Sequence, residues 1–282
     1  MTTVALFGAG GKIGYRIAQH LRDSEYRLLC LEVSQAGKEA LAQIGLATTP
    51  QEQALREADV AILAVPDALI GVIARQIVPA MQRGAMVMCL DAAAPYAGEL
   101  PRREDISYFV VHPCHPPIPS EETDPEARKD LFGGDKARQH IVCALMQGPE
   151  SDYALGEAVA RLVFAPVMKA HRITVEQMAL LEPALAETVA ATCIVAIREA
   201  MDEVIRLGVP AVVARDFILG HINVDIGILF GFTDAEFSDG CKLTIERARK
   251  TMLQPDWKRA LEPANVLQEA AAITRGLAGG RG

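Results

Sequence analysis

The 282-residue chain is short of several things, and each absence narrows the field. No uninterrupted apolar run reaches the roughly 18 residues of a membrane span, so no membrane partner is expected. The opening MTTVALFG has none of the regions of a signal peptide. There is no block of basic residues and the net charge is −8, which excludes the concentrated positive surface that a nucleic acid requires. The six cysteines (30, 89, 114, 143, 193, 241) include no CxxC pair, which argues against a zinc-cysteine site or a disulfide frame. Most lie in apolar runs such as RLLCLE and MVMCLD, and they read as reduced core thiols of a cytoplasmic protein. No internal repeat or low-complexity tract is visible.

What is present is a globular composition, half hydrophobic and 23% charged, long enough for one large domain or two ordinary ones. The first half alternates apolar runs with helical stretches. Strands are expected at 3–8, 26–32, 59–66, 86–91 and 106–111, and helices at 11–22, 36–44, 50–57 and 67–82. Unbroken apolar strands separated by helices indicate an α/β fold, a doubly wound Rossmann-type parallel sheet covered on both faces. From Val175 the strand signal vanishes: one long helix runs to Gly208, and others are expected near 210–230, 239–253 and 263–276. This predicts a dinucleotide-binding domain over 1–173 and an all-helical substrate and dimerisation domain over 174–282. The tail GLAGGRG reads as a frayed terminus.

Directly after the first strand stands GAGGKIG, residues 8–14, which opens the first helix. A literal GxGxxG is missing because position 13 is Ile. The chain offers GxGxxxG (8, 10, 14) or GxxGxxG (8, 11, 14). Either lets backbone N–H groups at a helix N-terminus approach a pyrophosphate. Gly8, Ala9, Gly10, Gly11, Lys12 and Ile13 are therefore cofactor-binding candidates. Glu32, at the end of the second strand, would accept from the adenosine ribose and repel a 2′-phosphate, favouring NAD over NADP. Alternatively it caps the next helix, and Lys38 keeps the cofactor choice open. In LAVPD, Val65 and Pro66 end the strand 59–66 and should line the crevice beyond the carboxyl ends of the strands.

The strand 106–111 runs into VVHPCHPPIPSEE, a stiff segment that projects His112 and His115. Two imidazoles hold a metal only with a further ligand, usually a carboxylate. Otherwise they hydrogen-bond at a loop edge. In the long helix, Val175, Met178, Glu182, Leu185 and Val189 form one stripe, with a carboxylate in its apolar middle and Pro183 next to it. The proline predicts a kink, and Glu182 needs a cation, a metal, a substrate hydroxyl or an Arg or Lys partner. The helix 215–231 is apolar nearly all round yet carries His221, Asn223 and Asp225. It is expected to be buried, with those groups at a dimer interface or in the substrate pocket. Lys242 either caps a solvated helix start or reaches a substrate carboxylate.

Several stretches resemble the D-apionate oxidoisomerases: HPCHPP, FGG (132–134), IVCALMQGPE (141–150), HRITVEQMALLEPALAETVAATC (171–193), GHIN (220–223), FSDG and PDWK. That family lies within a wider group with a phosphogluconate-dehydrogenase-like C-terminal domain. The resemblance implies oxidation of a branched sugar acid by NAD and an α-ketol shift that moves a hydroxymethyl group from C3 to C2, giving 3-oxo-isoapionate. Such a shift needs a base and an electrophile, a role that a divalent metal, zinc or magnesium, fills on an α-hydroxyacid. His112 and Glu182 are then metal ligands or the acid–base set, with His115 near the substrate carboxylate. The Lys-then-Asn of the wider group is missing from VEQMALLEPALAE, and Lys169 lies just before that helix. A plain NAD(P)-dependent hydroxyacid dehydrogenase and a non-catalytic dinucleotide sensor remain the alternatives, and a homodimer is expected.

Overall fold

The computed structural model describes residues 1–276, so the last six residues of the expected frayed tail lie outside the described residues. The apolar runs do become strands: β1 (Thr3–Phe7), β2 (Arg27–Leu31), β3 (Val60–Leu63), β4 (Met86–Cys89) and β5 (Ser107–Pro113). Two further strands follow that the expectation lacked, β6 (Gln139–Gln147) and β7 (Val167–Arg172). Together they form one seven-stranded sheet in the order β2-β1-β3-β4-β5-β6-β7. Every neighbouring pair is parallel except β5 and β6, which run antiparallel. The Rossmann-type reading holds, with a reversed extension on one side.

Helices α1 (Lys12–Arg22), α2 (Gln35–Gln43), α3 (Gln51–Glu57), α4 (Asp67–Ile77), α5 (Ala93–Tyr96) and α6 (Asp152–Val163) accompany the sheet. One face of the sheet packs Leu6, Met88, Phe109, Val111, Ile141 and Cys143 against Ile17, Leu21, Val159 and Val163 of α1 and α6, all essentially inaccessible. Each such side chain contributes about 1.5–3 kcal/mol by leaving water. Cys30, Cys89 and Cys143 belong to this interior, and burial pushes the last two thiols up to about 12. Cys114 and Cys193 are exposed, so only half of the expected core thiols are core.

The long helix begins as α7 (Val175–Ala179), capped by Thr174 and Gln177, which donate to and accept from each other's ends. It then widens into twelve π-helical residues, Leu180–Ala191, before continuing as α8 (Thr192–Arg206). Pro183 lies inside the wide stretch. Having no N–H, it leaves the carbonyl of Ala179 without its usual donor and crowds it. Where a simple kink was expected, the helix changes pitch. The predicted stripe accordingly fails beyond Glu182: Val175 and Met178 are buried, but Leu185 is 47% exposed.

The chain divides into two compact units, Met1–Pro183 joined by the segment from Val266 onward, and Ala184–Asn265. The change falls ten residues later than the expected 173, because α7 packs on β6 and α5. The last helix, α11 (Pro263–Arg275), belongs mostly to the first unit. In the second unit, α9 (Ala211–Leu229) buries only Ala214, and α8 and α10 (Asp239–Met252) bury nothing. The helix expected over 215–231 is therefore not buried within one chain. Measured over a window instead of an unbroken run, Val175–Arg206 is long and apolar enough to cross a membrane, with 11% of the window buried. The same composition suits a helix that packs against protein, and Glu182 and Glu187 sit within it.

Candidate active site

The glycine loop follows β1 at the carboxyl edge of the sheet, and packing decides between its two spacings. A Cβ on Gly8, whose φ is +74°, would lie 2.3 Å from the Ala64 carbonyl oxygen. One on Gly10 would lie 2.4 Å from the Cα of Gly37, and one on Gly14 only 2.0 Å from the Gly8 oxygen. At Gly11 the nearest atom stands at 3.3 Å. The demanding positions are 8, 10 and 14, and Gly11 serves as the N-cap of α1. Ala9 is buried, while Lys12 and Ile13 are exposed on the first turn, open to a ligand.

Glu32 lies one residue beyond β2. Its Oε2 accepts from Gly10 N at 2.8 Å, and its Oε1 from Val33 N and Ser34 N at 2.9 and 2.8 Å. Burial alone would raise this carboxyl, but the donors from Ser34, Gly10 and Val33 outweigh it and hold it below the usual range. A carboxylate has about four acceptor sites. Backbone N–H groups take three of them, and the Ser34 hydroxyl also acts on this carboxylate. Glu32 thus shapes the glycine loop as well as facing the expected adenosine. Lys38 is exposed on α2. Val65, half-buried, and Pro66, exposed, follow β3, with a Val65 methyl carbon 3.1 Å from where a Gly8 side chain would be.

At the same edge His112 meets two carboxylates. Asp91, His112 and Glu182 each offer an atom within 4.8 Å of the others. The strand register explains the first two: Cys89 pairs with Val110, so two residues further along Asp91 comes beside His112 on the same face. Glu182 arrives from the π-helical turn. His112 Nδ1 lies 3.0 Å from the Leu90 carbonyl, which can only accept. Nδ1 therefore carries the proton and Nε2 keeps the lone pair. Burial pushes this imidazole below its ordinary value, against Asp91 and the Leu90 carbonyl, with His115 adding to the depression. It is neutral at pH 7.

Burial, and then Asp91, push the Asp67 carboxyl at the start of α4 upward. Among the described residues neither Asp67 nor Asp91 pairs with a Lys or Arg. Excess negative potential beside a neutral imidazole is what a divalent cation neutralises, and the Asp–His–Glu donor set fits one. Asp91 went unremarked in the sequence. Its signal was the carboxylate ending MVMCLD, in the position where Glu32 ends its own strand.

His115 holds a left-handed backbone, φ 60°, which costs a residue with a Cβ about 1–2 kcal/mol. Its Nδ1 donates to the Phe132 carbonyl at 2.8 Å, and its ring stands edge-on to His112 with centroids 6.3 Å apart. The FGG stretch thereby folds back onto α1: Arg16 donates to the Gly133 carbonyl at 2.7 Å, and the Lys12 ammonium lies 5.2 Å from the Phe132 ring centre.

The remaining candidates belong to the second unit. His221 is exposed, stacked on Phe217 with centroids 4.0 Å apart, and its Nδ1 donates to the Phe217 carbonyl at 2.8 Å. Asn223 and Asp225 are exposed as well, where burial was expected. Lys242 pairs with Glu236 at 2.7 Å, so the start of α10 accounts for it without a ligand.

A glycine loop shaped for a pyrophosphate, followed by a helical second unit, defines a dinucleotide-binding oxidoreductase architecture. Residues 1–118 match the acetohydroxy acid isomeroreductase NADPH-binding domain, and 120–274 match the C-terminal domain of phosphogluconate dehydrogenase (decarboxylating). The chain is 53% identical to a D-apionate oxidoisomerase from Rhizobium rhizogenes, over 97% of this chain and 100% of that one. It is 51% identical to a D-apionate oxidoisomerase from Cupriavidus necator, over 96% and 99%. A Cupriavidus necator structure in complex with calcium and NAD, described as a semialdehyde dehydrogenase NAD-binding protein, superposes with a TM-score of 0.95 at 50% identity, covering 97% and 100% of the two chains. The chain belongs to the D-apionate oxidoisomerase family.

Proposed function

We propose that this chain oxidises D-apionate with NAD and isomerises the product by an α-ketol shift to 3-oxo-isoapionate. The observation that carries this reading is the Asp91–His112–Glu182 cluster at the carboxyl edge of a sheet that also bears a dinucleotide loop. Its relatives of half-identical sequence are D-apionate oxidoisomerases, and a neighbour of the same fold holds NAD and calcium. When bound, NAD takes up the hydride from the carbinol carbon and a divalent cation draws negative charge from the adjacent oxygens.

The chain's own residues do the rest. Glu32, at the end of β2, accepts from the ribose hydroxyls and disfavours a 2′-phosphate. Asp91, His112 and Glu182 would hold the cation. His112, neutral and fixed by Leu90, keeps Nε2 available as a ligand or as acceptor of a hydroxyl proton. His115, fixed in the same way by Phe132, presents a second Nε2 lone pair beside it. The mixed imidazole and carboxylate shell leans toward zinc over magnesium.

The test is incubation with NAD and D-apionate, following NADH by absorbance and the carbon skeleton by NMR. NADH formation with a moved hydroxymethyl carbon supports the reading. An unmoved skeleton reduces it to a plain hydroxyacid dehydrogenase, and no NADH at all removes it. Glu182→Gln should lose turnover while NAD binding stays nearly intact.

The second unit leaves Val212, Val213, Phe217 and Leu229 52–68% exposed, and an apolar cleft of about 440 Å³ opens among Ile197, Met201, Val209 and Phe217. Apolar surface on this scale supports a homodimer in which a second copy covers it. Six unpaired thiols fit a reducing compartment, the cytoplasm.

A further inference from the structure

The reversed strands put a second group of titratable side chains on the face that bears His112. Register places Asp91, His112, Val142 and His171 in one row across β4, β5, β6 and β7, since His112 pairs with Val142 and Val142 with His171. Val142 is an apolar spacer, 8% exposed. The Cα atoms of His112 and His171 are thus two strand spacings apart, about 9–10 Å. One pair further toward the crevice, His140 lies beside Lys169. The imidazoles of His140 and His171 meet edge-on with centroids 5.5 Å apart. The Nδ1 of His140 is buried and has no partner among the described residues. Lys169 is exposed, and among the described residues it makes no ion pair.

Three nitrogen-bearing side chains therefore converge, and among the described residues none of them forms an ion pair with a carboxylate. Burial pushes the His171 imidazole down, and the Lys169 ammonium and His140 beside it act in the same sense. The other end of the row is the reverse: Asp91 and Glu182 are carboxylates set to meet a cation. A small hydroxyacid has this polarity, with oxygens that a cation binds and, within a few bonds, a carboxylate.

We propose that Lys169, His171 and His140 form the carboxylate-binding end of the substrate site, orienting the acid so that its hydroxyl-bearing carbons fall at His112. The inference rests on the hydroxyacid reading given above and adds where the acid's charge is held. Lys169 supplies the charge, while His171 and His140 supply directional N–H donors that fix the plane of the carboxylate.

The experiment measures binding of D-apionate to the NAD-loaded protein by calorimetry, beside steady-state kinetics, with the neutral amide of the same acid as a second probe. Lys169→Met should weaken binding of the acid and raise its KM about 10–100-fold, leaving kcat within about threefold and NAD affinity unchanged. Lys169→Arg should restore most of the loss, and the amide should bind wild type and Lys169→Met alike. His171→Asn should weaken the acid in the same sense by a smaller factor. Equal affinity of the acid for wild type and the Lys169→Met/His171→Asn double variant overturns the proposal, as does an equal loss for acid and amide. Wild type that binds the acid selectively over the amide but forms no NADH sinks the reaction and leaves this site standing. Wild type that binds neither probe sinks both.

Discussion

Asp91 shows how much a site can depend on a residue that is unremarkable in its own segment. It is a carboxylate two residues past a strand, and only pairing with β5 brings it beside His112. Asp91→Asn should lower metal affinity or turnover about 10–100-fold, as losses around a metal-ligating histidine commonly do, with NAD titration unchanged. Full activity in that variant would remove Asp91 from the site. The glycine loop makes a sharper prediction. Gly10→Ala drives a methyl group into the backbone of Gly37, whereas Gly11→Ala meets only the Gly8 oxygen at its margin. The first should cost about 1–3 kcal/mol of stability and most of the NAD affinity, and the second little of either, as read by thermal unfolding and cofactor titration. The sequence showed that a glycine loop was present, while the choice between positions 10 and 11 needed the approach of α2, which no local pattern encodes.

At the level of elements, β1 to β5 were legible because each is an unbroken apolar run between turn signals. β6 carries an equally apolar run, IVCAL, but follows a proline-rich excursion with no helix before it, so the alternation that flagged the others was missing. β7 is an edge strand, VMKAHR, whose Lys, His and Arg hide the pattern. The π-helical turn was illegible for a different reason: a stripe drawn at 3.6 residues per turn assumes the pitch that Pro183 breaks. The loop before β6 can be tested by pH. Burial would raise the Asp130 carboxyl, but the backbone N–H groups of Lys136, Ala137 and Asp135, at 2.9, 3.1 and 3.2 Å, outweigh it, with help from Arg16. Its folded pKa is depressed, so the stabilisation is complete above the unfolded value of about 3.9 and lost as pH falls through the lower folded value. Hydrogen exchange in 131–138 should accelerate across that acid window in the wild type. In Asp130→Asn it should be faster already at neutral pH and much less pH-dependent beyond the intrinsic exchange rate.

For the whole molecule, the contrast between the units is the main fact. The first has a buried apolar core, whereas the second leaves most of its apolar side chains exposed on α8, α9 and α10. The expectation that a helix apolar all round is covered is not met within one chain, among the described residues. Sedimentation at micromolar concentration should give a dimer. Phe217→Asp, at a side chain 64% exposed in one chain, should weaken association by about 2 kcal/mol or more, roughly thirtyfold. A wild-type monomer at that concentration would rule the dimer out.

The reversal of β6 has a consequence for how such a site can diversify. The excursion from Cys114 to Arg138 leaves the sheet beside His112 and returns beside His140, and its base is closed by Cys114 N donating to the His140 carbonyl at 2.9 Å. Both feet are strand residues, so their spacing is set by the sheet whatever lies between them. Lengthening a closed loop costs only about 0.6 kcal/mol per doubling. Outside His115, Asp130 and the FGG stretch, the segment can therefore be rewritten or lengthened while the imidazoles at its two feet stay in register. Exchanging 116–129 between relatives, which spares His115 and the FGG stretch that holds it, should leave NAD binding and turnover in place, as read by cofactor titration and NADH formation.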